Sequence, residues 1–116
     1  MKISSCANGR VNLLGEHLDY NGGSVLPLQI NRYVEIFLTE NINDKITITS
    51  KQYDQKISIN NTLQKQNNWS DFVVGACKII SDKFKIKVSN INFEIDSNLP
   101  IGIGLSSSAA ITVSAL

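Results

Sequence analysis

Between residues 60 and 69 the hydrophobic period of this chain changes from two to about 3.6, and that change limits the folds open to it. Lys45-Ile46-Thr47-Ile48-Thr49-Ser50 and Gln55-Lys56-Ile57-Ser58-Ile59-Asn60 alternate strictly, as strands with one buried face do. Beyond them Trp69, Phe72, Val73, Ala76, Cys77, Ile79, Ile80 and Phe84 recur at three- and four-residue spacings, which predicts an amphipathic helix. Asn68 or Ser70 can cap its start, and Asp71 suits its first turn. Alternation returns at Ile91-Asn92-Phe93-Glu94-Ile95-Asp96. Upstream, residues 2–7, 24–30 and 33–40 read as strands, the second irregular or at an edge because of Pro27. Asn41-Ile42-Asn43-Asp44 has turn chemistry, so the early strands are expected to form an antiparallel meander. The apolar run from Ala109 to Leu116 reads as the start of a second helix.

Two stretches fall outside these periods. Gly9-Arg10-Val11-Asn12-Leu13-Leu14-Gly15-Glu16-His17-Leu18-Asp19-Tyr20-Asn21-Gly22-Gly23 packs an Arg, the only His, two carboxylates and four Gly into fifteen residues. Taken alone it is either a polar connection between strands or a site, and its density of convergent polar groups favours a site. Leu99-Pro100-Ile101-Gly102-Ile103-Gly104-Leu105-Ser106-Ser107-Ser108-Ala109-Ala110 follows a strand and opens a helix. The first N–H groups of a helix lack internal partners and carry the positive end of its dipole, so anions bind there. Glycines admit a polyphosphate closely, and Ser hydroxyls can donate to phosphate or accept a divalent cation. The stretch is neither a Walker A loop, whose Lys is missing, nor GxGxxG, because Ser stands in place of the third Gly. A Gly-rich turn with a Ser cap is also a common structural device.

Together the two stretches are far more specific than either alone. The first resembles the signature of galactokinases. The second resembles the phosphate-binding signature of the GHMP kinase superfamily, in the Ser-Ser-Ser-Ala form typical of galactokinases. Mevalonate kinases are similar at the second stretch but usually carry a Lys and a different run after Glu-His at the first. Trp69-Ser70-Asp71-Phe72-Val73-Val74-Gly75 is similar to a Trp-led helix of the same family.

The resemblance implies an α+β fold, a GHMP kinase N-terminal domain similar to domain 2 of ribosomal protein S5, with a mixed sheet and helices on one face. It implies ATP-dependent phosphorylation of galactose at the anomeric hydroxyl. The alternatives are a kinase for another sugar (a uronic acid, arabinose or N-acetylgalactosamine) and a sensor that binds galactose and ATP without turnover. Glu16, His17, Leu18 and Asp19 match the sugar-contacting positions, Leu18 standing where the family often has Thr. Arg10 matches the arginine near the reacting hydroxyl, where a cation stabilises the transferring phosphoryl group. Arg10 could equally be a structural ion-pair partner. Asn8 replaces the family's usual Pro. Gly102, Ile103, Gly104, Leu105, Ser106, Ser107 and Ser108 match the ATP cradle, and Ser108 matches the Mg²⁺-associated hydroxyl. Trp69 and Phe72 match aromatic positions beside adenine, although periodicity alone would make both core residues. Ser50, at a strand end, is a further candidate for the nucleotide side.

The family's catalytic Asp, a Glu that helps hold Mg²⁺ and a C-terminal half lie beyond the Ser run. Residues 1–116 are therefore expected to be an incomplete N-terminal domain, with the sugar motif at 9–23 and the phosphate motif at 99–110, inactive alone. The remaining properties exclude some classes. A net charge of +1 supplies no basic stripe for nucleic acid, and no apolar run approaches the ~20 residues of a membrane span. Cys6 and Cys77 lack CxxC spacing and read as free thiols in a reducing cytoplasm, with Cys77 in the core. The full-length protein is expected to be a monomer.

Overall fold

The computed structural model describes residues Met1–Leu116. The chain runs β1 (Lys2–Leu14), β2 (Leu26–Glu40), β3 (Lys45–Ser50), β4 (Gln55–Asn60), α1 (Asp71–Phe84), β5 (Ile91–Ser97) and α2 (Ser107–Ala115). The strands form one sheet in the order β1-β2-β5-β3-β4. Neighbours are antiparallel except β3 and β5, which run parallel.

The sheet is mixed and is not the expected meander. β5 inserts between β2 and β3. Adjacent strands lie about 4.8 Å apart, so the four linking residues Asn41–Asp44 can step over one intervening strand. Asn41 holds that step: its N–H donates to the Asn90 carbonyl at 2.8 Å and its side-chain amide donates to Asn92 Oδ1 at 2.9 Å. Alternation marks a strand's buried face but carries no information about its neighbour, which is why the order was not legible.

Two strands are longer than their apolar patterns suggest. β1 continues through the polar stretch to Leu14, with register shifts between Asn8 and Arg10 and between Asn12 and Leu14. β2 joins the two segments read separately at 24–30 and 33–40. Pro27 sits opposite Asn12, in the part of β2 that pairs only with β1. Proline is tolerated at such a position, with a neighbouring strand on one side only.

One face of the sheet supplies Val34, Ile36, Ile46, Ile48, Ile59, Phe93 and Ile95 to a core completed by Val73, Val74 and Cys77 of α1 and Ala110 and Ile111 of α2. Both helices therefore cover the same face, as expected of an α+β layer. The opposite face carries Thr47, Thr49, Asn92 and Glu94. No helix is long and apolar enough to cross a membrane.

α1 starts at Asp71, two residues later than the spacing implies. Ser70 occupies the N-cap but does not cap: its hydroxyl bonds Asn68 Oδ1 at 2.7 Å. The Asp71 carboxylate instead accepts the N–H groups of Gln66 at 2.6 Å and Asn67 at 2.8 Å, tying down the chain that enters the helix. Cys77 is buried, and desolvation pushes its thiol up to about 11, so it is a core group and not a nucleophile.

Candidate functional site

The two glycine-containing stretches meet at Gly9. A Cβ on this buried residue would overlap Leu99 Cδ2 and stand 2.9 Å from the Leu105 carbonyl oxygen. Only glycine admits that approach. One residue on, Arg10 N–H donates to the Leu105 carbonyl at 3.3 Å. The bulge in β1 thus lies under the Pro100–Ser106 loop, and Leu105 is its half-buried anchor.

Past β1 the chain folds into a loop held by its own backbone. Leu18 N–H donates to Gly15 O at 2.9 Å, and Gly23 N–H donates to Leu18 O at 2.9 Å. His17 takes a left-handed φ of 65°, and its carbonyl accepts from Asn21 Nδ2 at 2.7 Å. Glu16, His17, Leu18 and Asp19 are all exposed on this loop. His17 Nδ1 meets the Tyr20 hydroxyl at 2.5 Å. Asp19 Oδ2 faces Arg10 Nη2 at 3.9 Å, with the two side chains 41% and 47% exposed, so the pair orients more than it stabilises.

On the other side, Gly102 and Gly104 adopt φ of 76° and 73° with open space where a Cβ would project. Ile103 between them is exposed. Ser106 is the N-cap of α2 with φ 60°, and its hydroxyl makes no capping bond. The first intrahelical bond runs from Ala110 N–H to Ser106 O at 2.9 Å, so the N–H groups of Ser107, Ser108 and Ala109 lack helical acceptors. α2 is pinned behind this end by buried Ser114, whose hydroxyl donates to Ser5 O at 3.0 Å while Ser5 Oγ reaches the Ser114 carbonyl. A cleft of about 450 Å³ between β1, β2 and α2 is lined by Arg10, Ser106, Ala109 and Cys6 among others. Arg10 and the head of the Ser run therefore share one cavity, although they lie 96 positions apart in the sequence.

Residues 2–39 match the family described as galactokinase galactose-binding signature, and residues 71–116 match the GHMP kinases N-terminal domain. The galactokinase of Thermosipho africanus is 47% identical over 113 residues, which cover 97% of this chain and 30% of that protein. The chain belongs to the galactokinase family of GHMP kinases. This galactokinase-family chain spans about 30% of the length of the curated relatives it matches, the galactokinase of Thermotoga maritima at 40% identity being another. Its fold is similar to that of Lactococcus lactis galactokinase solved with galactose (TM-score 0.83, 26% identity, 98% of this chain and 31% of that one). It is also similar to Methanococcus jannaschii mevalonate kinase (TM-score 0.80, 26% identity, 99% of this chain and 38% of that one).

The remaining candidates of this galactokinase-family domain sit elsewhere. Phe72 is 41% exposed and is not a core residue; the helical spacing overstated the buried face of α1. Phe72 and half-buried Trp69 line a second, open depression with Asn67 and Asn68. Trp69 stacks on Tyr53 with ring centroids 5.4 Å apart, and its indole N–H donates to Gln55 Oε1 at 2.7 Å. Tyr53 was not singled out in the sequence, though an aromatic inside a polar turn was the available signal. Ser50 is only 3% exposed, beneath that turn, where its hydroxyl accepts the Tyr53 N–H at 3.4 Å. It shares neither depression. No group of three or more His, Cys, Asp or Glu side chains gathers to hold a metal ion. Ser108, exposed at the start of α2, can supply one hydroxyl oxygen to a cation whose other ligands are phosphate oxygens and water.

Proposed function

We propose that this domain supplies the galactose- and ATP-binding residues of an enzyme that transfers the γ-phosphoryl group of ATP to the anomeric hydroxyl of galactose. The single observation behind this reading is the Gly9–Leu105 contact, which brings Arg10 and Ser106 to one cleft. Glu16 and Asp19 would accept from sugar hydroxyls, His17 would donate or accept, and Leu18 would contribute through its backbone. A pocket matched to hydroxyls also rejects sugars that lack them.

Gly102, Ile103, Gly104 and Leu105 would wrap the phosphates with backbone N–H groups, and Ser106, Ser107 and Ser108 would add the helix end and its hydroxyls. Trp69, with Phe72 on the same depression, would flank the base. In the transfer the anomeric oxygen attacks the γ-phosphorus, the bond from that phosphorus to the bridging oxygen breaks, and ADP leaves with the electron pair. Arg10 would stabilise the charge on the equatorial oxygens. Mg²⁺ would neutralise phosphate charge, with Ser108 as one ligand. The proton of the sugar hydroxyl needs an acceptor, and no carboxylate lines the cleft. The base is therefore proposed to come from residues other than these. Two free thiols, Cys6 and Cys77, support a reducing, cytoplasmic setting.

The test is a panel of galactose, arabinose, N-acetylgalactosamine and galacturonic acid offered with ATP to the full-length protein. ADP release and phosphorylated sugar are both measured. Galactose should be consumed fastest, giving the 1-phosphate. Inactivity on galactose beside strong turnover of another sugar would replace the substrate. Binding of galactose and ATP without turnover would make the protein a sensor.

A further inference from the structure

The β3–β4 turn lies outside both family matches, at 2–39 and 71–116, yet it touches the start of the phosphate loop and the aromatic depression at once. Its backbone is tied to β5: Lys51 N–H donates to the Ile95 carbonyl at 3.1 Å, and the Lys51 ammonium reaches Asp96 at 2.7 Å and Glu94 at 3.3 Å. From this footing Gln52 extends its side chain, and Nε2 donates to the Leu99 carbonyl at 2.6 Å. The next residue is Tyr53, which stacks on Trp69. Leu99 is 1% exposed and is the residue whose side chain sits against Gly9. Its own N–H is taken by Ser97 Oγ at 3.1 Å. The Gln52 amide is thus a strut from the β3–β4 turn to the last buried residue before the glycine turns, where Gly102 and Gly104 take left-handed φ values with no neighbour against them.

We propose that Gln52 is a positioning residue for the phosphate loop: its amide holds the Leu99 carbonyl, and so sets where Pro100–Ser106 begins relative to Arg10 and to the Tyr53–Trp69 pair. The proposal rests on the reading of that loop as the ATP cradle. Gln52 touches no substrate in it. A shift of Leu99 would displace the N–H groups that meet phosphate while leaving Glu16, His17 and Asp19 on their own loop, so the effect belongs to ATP and not to galactose.

The experiment compares Gln52→Glu with Gln52→Lys in the full-length protein. Glu keeps the size of Gln but turns an acceptor toward an acceptor, whereas Lys keeps a donor within reach of the carbonyl. Gln52→Glu should raise KM for ATP about tenfold and leave KM for galactose within about twofold, and Gln52→Lys should stay within about threefold of the parent for both. Without nucleotide, amide exchange at residues 99–106 should quicken in Gln52→Glu and not in Gln52→Lys. Unchanged KM for ATP together with unchanged exchange in Gln52→Glu overturns the proposal. So does a parallel rise in both KM values with faster exchange throughout the domain, which marks general loosening. A parent protein that consumes no ATP refutes the kinase reading instead, and the exchange comparison still decides whether Gln52 holds the loop.

Discussion

Gly9 illustrates how a residue with no side chain can position several that have them. Its missing Cβ lets Leu99 and Leu105 settle on β1, and this brings Arg10 beneath the Pro100–Ser106 loop. Gly9→Ala must push back a buried Leu or a backbone carbonyl, and overpacking of that kind costs about 1–3 kcal/mol. A thermal melt of the variant should show the loss, and an unchanged midpoint would mean the loop moves away freely. Arg10 is half exposed and its pair with Asp19 is long, so Arg10→Ala should change stability by less than about 1 kcal/mol. Its effect should fall on turnover, with kcat lowered about 10²- to 10³-fold in the full-length protein. A large loss of melting temperature with modest loss of kcat would assign Arg10 the structural role left open by its sequence context. The residues of the sugar motif were legible because their types are unusual together. Tyr53 and Gln52 were not, because a Tyr or Gln in a turn has no periodicity or spacing to mark it.

Among the elements, α2 is a nine-residue helix, and it is short for its task. Its direction depends on the Ser5–Ser114 contacts across to β1. Ser114→Ala removes a buried hydroxyl and the bond it donates to the Ser5 carbonyl, while the Ser5 hydroxyl keeps the Ser114 carbonyl, so a loss of about 1 kcal/mol is expected in denaturant titration. α1 carries a pH dependence of its own. The Cys77 thiol has a raised pKa, about 11 against an ordinary 9.0, because burial disfavours the thiolate. Below pH 9 both folded and unfolded thiols hold their proton and the stabilisation is complete. As pH rises from 9 towards 11 the unfolded chain loses that proton first, and about 2 kcal/mol should disappear. Melts at pH 8 and pH 10.5, compared with those of Cys77→Ala, check this: the variant should lack that part of the decline. The helix period of α1 was plain in the sequence, but it put Phe72 and Ile79 with the core, whereas both are exposed. Spacing shows which residues share a face of a helix, and the width of the contact depends on what packs against it.

For the molecule as a whole, the two depressions that hold the candidate residues lie between β1, β2 and α2 and beside Trp69. Neither is closed, and the first contains no carboxylate. Residues 1–116 expressed alone are accordingly expected to give no ATP-dependent phosphorylation of galactose, measured as galactose 1-phosphate formed. Turnover by that piece would mean that a base is present among these residues. The amino-acid sequence alone determined β3, β4 and β5, the two helices and the chemical content of both motifs, because period and residue type are local properties. Tertiary structure alone decided that β5 would lie between β2 and β3, and that Gly9 would receive Leu99 and Leu105. It also put Gln52 on the Leu99 carbonyl. Each of these is a contact between segments far apart in the chain, chosen by hydrogen-bond pairing and shape. Neither leaves a pattern within any one segment.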